Sequence, residues 1–588
     1  MTKKLLSRRD FVKAATLGGG AIGLAACAAP AVPATPAAAA AAPKATAVPV
    51  VATKSVEAVA TPMVATAVPT DAPLQPGFQR PTDGPAKRGG ILKIGLPINP
   101  QHFDPHQGSI TYVLVNIYSH LMTREMSTGA SVIVPDLAER FEVSSDSLSY
   151  TFYLRSGVKW HDGTDFTSAD VVATFERIMS PPEGVVPPRK DIVNSAVEKV
   201  EALDPMTVRF TLKQPVPWFI EIIILDDMLI VSKKALDENK GDLKKVNAPG
   251  TGPYMHKEAI PKEKWELVKN PNYWDAELPY LDGILFIHAQ EMVERGMAVL
   301  ADQADMTFNT TTPVRVWGSK REDITARLIA GGYQGVTMFI NNSRKPFDDV
   351  RVRRAIQLGV NRQSIVKAFE SQQPVDISRW VSVASAAYAM STEEVQKLPG
   401  YRPNKDEDIA EAKKLMAEAG FANGFGPKEV LTANTPQFAD ILTPAFVDQL
   451  KTNLGIELTI RVVDRSLLIE ESKKGNFDLL VGNSYDVPFA DPTSGWDSQF
   501  RTGGATNYAR YSNAEFDELL DQLFIEMDYA KRKELVNKGC DMLDANPPII
   551  YIGPGNNSPI WKNYVKGHGI EKQILSVWGR MATTWLDK

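Results

Sequence analysis

Between positions 456 and 481 the chain changes period twice. Ile456, Leu458, Ile460 and Val462 recur at every second position, as on a half-buried strand. Residues 466–474 carry a helical pattern, and 477–481 (Phe-Asp-Leu-Leu-Val) is a short apolar run that reads as a buried strand. Two strands joined by a helix run the same way, because a helical crossover returns the chain to its starting end. The spacing therefore predicts an α/β fold in which 456–462 and 477–481 are parallel neighbours in one sheet. The second strand breaks at Gly482 into a segment carrying Asn483, Ser484, Tyr485, Asp486, Asp491 and Trp496. In open α/β sheets the ligand crevice lies beyond the carboxyl ends of the strands, which makes this segment a candidate binding loop. The same residue types also build solvated turns, and spacing alone does not choose between the two.

At 588 residues the chain exceeds what one hydrophobic core organises, and two or three domains are expected. A net charge of -5, from 65 basic and 70 acidic side chains, offers no electrostatic case for a nucleic-acid partner. The N-terminus is an address. Ser7-Arg8-Arg9-Asp10-Phe11-Val12-Lys13 precedes a weakly apolar run, 14–26, that is too short to span a bilayer, and this is the twin-arginine export pattern. The run closes in Leu24-Ala25-Ala26-Cys27, which resembles the lipobox of bacterial lipoproteins. Residues 1–26 therefore read as a signal peptide and Cys27 as the lipidated residue. Gly18, Gly20 and Gly23 satisfy GxGxxG, but no strand precedes them and the dinucleotide reading is discarded. Residues 27–89, lipidated Cys and then mostly Ala, Pro, Thr and Val, cannot bury enough surface to order themselves and read as a tether. As a flexible coil it would span roughly 45 Å. The other cysteine, Cys540, lies on a helical pattern over 532–543 and reads as a buried, inert thiol, so no disulfide is expected. The apolar stretch 218–231 is interrupted by Glu221, Asp226 and Asp227 and reads as protein core.

The body starts at residue 90 with a strand over 90–96, a loop containing His102 and His106, and an amphipathic helix predicted over 111–122. Those two histidines suit metal ligation only on a helix, which Pro100 and Pro105 disfavour. Strands 141–144 and 149–155 flank a turn at 145–147, and Thr167 starts a helix running through Met179. After Gly420 the pattern gives a helix, started or broken at Pro436 and Pro444, that ends at Gly455. Helices over 513–527 and 530–543 follow the candidate loop.

The run 135–178, PDLAERFEVSSDSLSYTFYLRSGVKWHDGTDFTSADVVATFERI, closely resembles the signature region of the family 5 extracellular solute-binding proteins, the peptide, nickel and oligosaccharide receptors of ABC importers. Further blocks follow in the family's order. They are Gly250-Thr251-Gly252-Pro253-Tyr254, Asn270-Pro271-Asn272-Tyr273-Trp274, and Phe339-Ile340-Asn341-Asn342 through 346–356 to Asn361-Arg362. The helix 410–420, Asn507-Tyr508-Ala509-Arg510-Tyr511-Ser512-Asn513 and Pro547-Pro548-Ile549-Ile550 complete the series. The resemblance implies a two-lobed periplasmic-binding-protein-like fold (class II, large cluster, with an extra subdomain), a hinge and an interlobe cleft. Lobe I would cover 90–336 with the subdomain, lobe II 337–548, and 549–588, including Trp561 and Trp578, would return to lobe I. The crossings would fall near 333–339 and 549–555. It implies a monomeric, lipid-anchored receptor at the outer face of the cytoplasmic membrane or in the periplasm, working with a membrane permease and ATPase, without a cofactor or a resident metal. Its ligand would be a short peptide, with an oligosaccharide or nickel chelate as alternatives. A secreted hydrolase is the alternative from another class, but the GxSxG, HExxH and GxxxxGK[ST] patterns are absent.

In peptide receptors of this family a loop aspartate four residues after a strand-ending glycine holds the peptide ammonium; counted from Gly482 that residue is Asp486. Gly482 and Ser484, with Asn483 between them, would lend backbone groups to an extended peptide, and Ile110 and Thr111 match the region used from the opposite lobe. Counting back instead from Asp491-Pro492 puts the ammonium position at Pro488. Trp380, Trp496 and Tyr485 are the candidate stacking surfaces for a sugar, and Arg379 is the candidate partner for a ligand carboxylate. The His161 turn reads as structural, and Arg351, Arg353 and Arg354 as a charged helix face or interlobe ion pairs. Replacing Cys27→Ala is expected to move the protein from the membrane to the soluble fraction, measured by fractionation and immunoblotting.

Overall fold

The computed structural model of the protein describes residues 84–98, 102–107, 111–124, 133–329, 334–382, 388–482, 485–486, 491–569 and 580–588. Arg8, Arg9, Cys27, the tether through residue 83, Ile110, Asn483, Ser484, Pro488 and Trp578 lie outside the described residues, whereas the last tether residues, 84–89, are described and Gly89 N–H donates to Tyr280 O at 2.9 Å. Among those described, no helix is long and apolar enough to cross a membrane.

Lobe I is built on a seven-stranded sheet in the order Ile324–Ala326, Ile560–Lys562, Met306–Thr307, Ile91–Leu96, Gly283–His288, Lys264–Lys269, Tyr254–Ile260. Ile91–Leu96 and Gly283–His288 pair in parallel, and Leu92, Ile94 and Leu96 are buried at the alternating positions that the pattern marks. A four-stranded antiparallel sheet, Ala138–Val143, Ser149–Leu154, Thr207–Leu212 and Val197–Asp204, forms a separate layer with its own aromatic core. Its helix Ser168–Met179 starts where Asp170 accepts the Thr167 N–H at 2.9 Å, closing a capping box.

The helix predicted over 111–122 is only Thr111–Leu114. Its continuation is lost because the carbonyls of Asn116 and Ile117 accept from Tyr254 N–H (3.0 Å) and Gly252 N–H (2.8 Å). This contact requires glycine at both ends of Gly250-Thr251-Gly252, since a Cβ at Gly250 would lie 1.9 Å from the Ile117 carbonyl oxygen, and one at Gly252 would lie 2.6 Å from that of Asn116. His161 closes the same unit, with Nε2 toward Gly252 O (3.1 Å) and Nδ1 accepting from Gly250 N–H (3.2 Å). Two signature blocks of the sequence are thus one structural joint.

Lobe II carries a six-stranded sheet. Its main path is Ile456–Val463, Phe425–Ala433, Leu479–Val481, Gln334–Ile340 and Tyr485–Asp486, with Ile549–Pro554 also paired to Gln334–Ile340. The two strands predicted as neighbours are parallel and share this sheet but do not touch, because Phe425–Ala433 lies between them and is parallel to both. That strand is masked in the sequence by its opening Phe-Gly-Pro, which reads as loop. The helix Thr443–Leu454, stopped by Gly455 at φ 68°, carries the chain to one side of it. The helix Arg465–Lys474, capped by Asp464 and stopped by Gly475 at φ 73°, carries it back to the other side.

The chain leaves the first sheet after Ile324–Ala326, enters the second through Gln334–Ile340 and returns along Ile549–Pro554, which pairs antiparallel with it, before joining the first sheet again at Ile560–Lys562. The C-terminal segment is locked to lobe I by Arg580, whose guanidinium grips both carboxylate oxygens of Asp136 (2.8 and 2.7 Å) and donates to the Val115 and Tyr118 carbonyls.

Two buried histidines, His106 and His120, and the half-buried His161 stand at such joints. His106 Nε2 lies 2.7 Å from Leu229 O while Nδ1 faces Arg177 Nη1, which also holds Asp104; His120 Nε2 lies 3.0 Å from Leu225 O. With a carbonyl on Nε2 and a donor on Nδ1, His106 and His161 are neutral, and burial lowers His106, His120 and His161 to about 4. In the unfolded chain each takes a proton near pH 6.5, so stability is complete above that value and falls as pH drops toward 4, by about 1.4 kcal/mol per pH unit for each histidine at most. Melting temperature is expected to fall over that interval, and His120→Gln should lose less stability across it than the wild type, read by circular dichroism.

Candidate functional site

Strand order in lobe II reverses at Phe425–Ala433: the chain goes first to Ile456–Val463 on one side and then to Leu479–Val481 on the other. Such a reversal opens a crevice beyond the carboxyl ends of the two strands that part there, with no helix crossing between them. Gly482 occupies this position. Its φ of 114° turns the chain away from the strand, and a Cβ on it would lie 3.3 Å from Ala433, the last residue of the neighbouring strand.

The ladder to Gln334–Ile340 then resumes. Met338 faces Val481 and Gly335 faces Tyr485, so three steps on one strand match four on the other. Asp486 pairs with Gln334, the first residue of the crossing strand. Tyr485 and Asp486 are therefore tied to the lobe boundary by backbone pairing. The Gly482 carbonyl accepts from Arg465, which holds the turn from the preceding helix.

Behind the loop lies a closed aromatic layer. Trp380 and Trp496 are 0% exposed and Tyr485 1%. Trp496 Nε1 donates to Tyr485 Oη at 2.7 Å, and that hydroxyl donates to Trp380 O at 2.7 Å. The Tyr485 ring stacks on Phe500 at 5.5 Å and meets Tyr551 edge-on at 4.8 Å. The structure brings these three expected residues together, but as core. The expectation that they offer a stacking face to a sugar is corrected by their rings being enclosed by protein on all sides.

Arg379 is likewise committed. Its Nε donates to Asp544 at 2.7 Å and its Nη2 to Asp541 at 2.5 Å, so it is an interior ion pair in place of a free carboxylate receptor. Asp544 is a hub that sequence reasoning missed, also accepting from Trp380 Nε1 (2.8 Å), Gln357 Nε2 (2.9 Å) and Tyr401 Oη (3.0 Å). It sits at the end of the helix Tyr529–Ala545, where no local pattern distinguishes it from a surface acid. Cys540, one turn earlier, is buried, and burial raises its thiol to about 12. Asp491 is neutralised by Arg532, from which it accepts at 3.1 Å through Nε, and it also takes the Thr493 N–H at 2.9 Å.

Arg351 pairs with Asp349, Arg353 donates to Phe347 O, and Arg354 to Gln357 and Asp544 O; all of these partners belong to lobe II, so none of the three is an interlobe ion pair. Thr111 opens the short helix of lobe I. Among the described residues no group of three or more His, Cys, Asp or Glu side chains is placed to hold a metal ion.

Known proteins share both the sequence and the architecture. The periplasmic oligopeptide-binding protein OppA of Salmonella typhimurium is 27% identical over 451 residues, covering 74% of this chain and 81% of its own. The glutathione-binding protein GsiB of Shigella boydii is 28% identical over 422 residues, covering 70% and 79%. The structure of the ABC transporter-associated periplasmic binding protein DppA from Helicobacter pylori, in complex with peptide STSA, has a TM-score of 0.71 at 23% identity, covering 85% of this chain and 99% of that one. Residues 132–507 match the family described as bacterial extracellular solute-binding proteins, family 5 Middle. With that match spanning the subdomain, the crossing strand and the candidate loop, the chain belongs to the family 5 extracellular solute-binding proteins, the solute receptors of ABC importers.

Proposed function

We propose that this protein captures short peptides between its two lobes and hands them, unchanged, to a membrane permease and its ATPase. The observation that carries the reading is the position of the loop after Leu479–Val481, at the strand-order reversal and on the first residues of the crossing strand. A ligand held there lies where closure of one lobe on the other would bury it. The names of relatives support a peptide: OppA is an oligopeptide-binding protein, GsiB binds the peptide-like glutathione, and the DppA structure holds STSA.

In this reading Asp486 accepts the peptide ammonium, a charge-assisted hydrogen bond of about 1.5 to 3 kcal/mol. Gly482, Asn483 and Ser484 present main-chain groups to an extended ligand, a pairing that reads no side-chain sequence. Ile110 and Thr111 close on it from lobe I, and Trp380 and Trp496 anchor Tyr485 beside Asp486. Arg532 already neutralises Asp491, which leaves Asp486 as the better ammonium partner of the two loop acids. Enclosure of the aromatic rings weighs against an oligosaccharide. The export signal at Arg8 and Arg9 and the lipid on Cys27 would place the receptor at the outer face of the cytoplasmic membrane, as a monomer on a tether.

A thermal-shift screen with di- to pentapeptides, oligosaccharides and nickel-histidine tests the reading. Peptides are expected to raise the melting temperature, and Asp486→Asn to remove that rise by weakening binding about tenfold or more. Stabilisation by sugars alone would sink the peptide assignment.

A further inference from the structure

Besides the crossing strands, the lobes meet through large side chains at Trp218. It caps the short helix Phe219–Ile223 of the lobe I subdomain, follows the stiff Pro215-Val216-Pro217, and is 5% exposed. Its ring lies 5.2 Å from that of Phe524, on the lobe II helix Ala514–Ile525, and 5.2 Å from the guanidinium carbon of Arg532. Phe524 has a cation on its other contact, the Arg501 guanidinium at 5.8 Å. A second cross-lobe bond, Thr312 Oγ1 to Glu370 O at 2.6 Å, is an exposed hydroxyl contact and so competes with water.

Arg532 does more than stack. It is 2% exposed, and its Nη1 donates to the Leu523 carbonyl and, at 2.8 Å, to that of Glu526, which sets the end of the helix bearing Phe524. Its Nε and Nη2 hold Asp491, and Nη2 also reaches Thr493 Oγ1 at 3.1 Å, at the start of the helix Thr493–Phe500. One buried planar cation therefore joins the Phe524 helix end, the exit of the candidate ligand loop, and the aromatic face of the opposite lobe.

We infer that Trp218, Phe524 and Arg532 form a clasp that holds the lobes together and ties that closure to the ligand loop through Asp491. They are positioning residues for ligand retention, and touch no ligand themselves. The link to ligand rests on the receptor reading above; the clasp itself does not. An edge-on aromatic pair and a desolvated cation–π contact together account for about a tenfold change in the closed-to-open ratio.

Trp218 belongs to the subdomain core, so its truncation would confound folding; Phe524, half-buried, is the residue to change. Ligand-free full-length Phe524→Ala is expected to show a larger radius of gyration by X-ray scattering than the wild type, with Phe524→Tyr restoring the wild-type value. Calorimetry with trialanine is expected to give a Kd several-fold weaker for Phe524→Ala, the share of the aromatic pair alone, since the Arg532 contact with Trp218 remains. An unchanged radius of gyration overturns the clasp. If Kd alone weakens, Phe524 is a ligand contact and the inference is also overturned; an unchanged Kd with an expanded molecule overturns the coupling to the loop. If trialanine binds none of the three proteins, the peptide reading fails for that probe, while scattering still decides the clasp.

Discussion

The strand Gln334–Ile340 is the constraint on which the rest of the structure depends. On one edge it carries the return strand Ile549–Pro554, whose six residues are all buried, and on the other it carries Leu479–Val481 and then Tyr485–Asp486. The segment leading out of lobe I, the segment leading back to it and the candidate ligand loop are thus bonded to one backbone. Close approach makes this possible. A Cβ at Gly335 would lie 2.2 Å from the Tyr551 ring, and one at Gly553 would lie 1.7 Å from the Asp376 carbonyl oxygen. Rearrangement at the crossing cannot leave the loop unaffected, because they share hydrogen bonds.

Around that strand, buried ion pairs tie together segments that are distant in sequence: Asp136 with Arg580, Asp104 with Arg177, Asp544 with Arg379 and Asp491 with Arg532. Taking two charges from water costs several kcal/mol per ion, so such pairs add little net stability over apolar packing. Loss of one partner, however, leaves the other uncompensated and is severe. In three of them, those of Arg580, Arg177 and Arg532, the guanidinium also donates to backbone carbonyls besides the carboxylate. Such pairs fix which segments lie side by side. In lobe II they also absorb Asp491, which belongs to the candidate binding segment, and Arg379, the candidate partner for a ligand carboxylate.

Much was legible in local pattern. The turn at 145–147, the helix starting at Thr167 and the helix between Asp464 and Gly475 follow from period, cap and stop residues, which act over a few residues. The class of fold and the place of the candidate loop after an apolar strand followed from the same reasoning. The strand Phe425–Ala433 was not legible, because it opens on Gly426-Pro427 and its buried residues, Val430 to Ala433, follow one another without alternation, nor was the shortness of Thr111–Leu114, because the carbonyls that end it are taken by the backbone N–H groups of Gly252 and Tyr254, more than a hundred residues away.

The candidate site divides along the same line. Residue types and spacing were sufficient to single out Gly482, Tyr485, Asp486 and Trp496, since a strand, a glycine and a polar loop are local facts. Whether an aromatic side chain faces a cleft or the core depends on which strands flank it, and that is decided by long-range pairing. Only the assembled sheet reveals that Tyr485 and Trp496 point inward with Trp380, that Asp491 is spent on Arg532, and that Asp486 pairs with the first residue of the crossing strand. Sequence period sets the alternation of side chains along a strand; tertiary packing sets which of the two faces is dry.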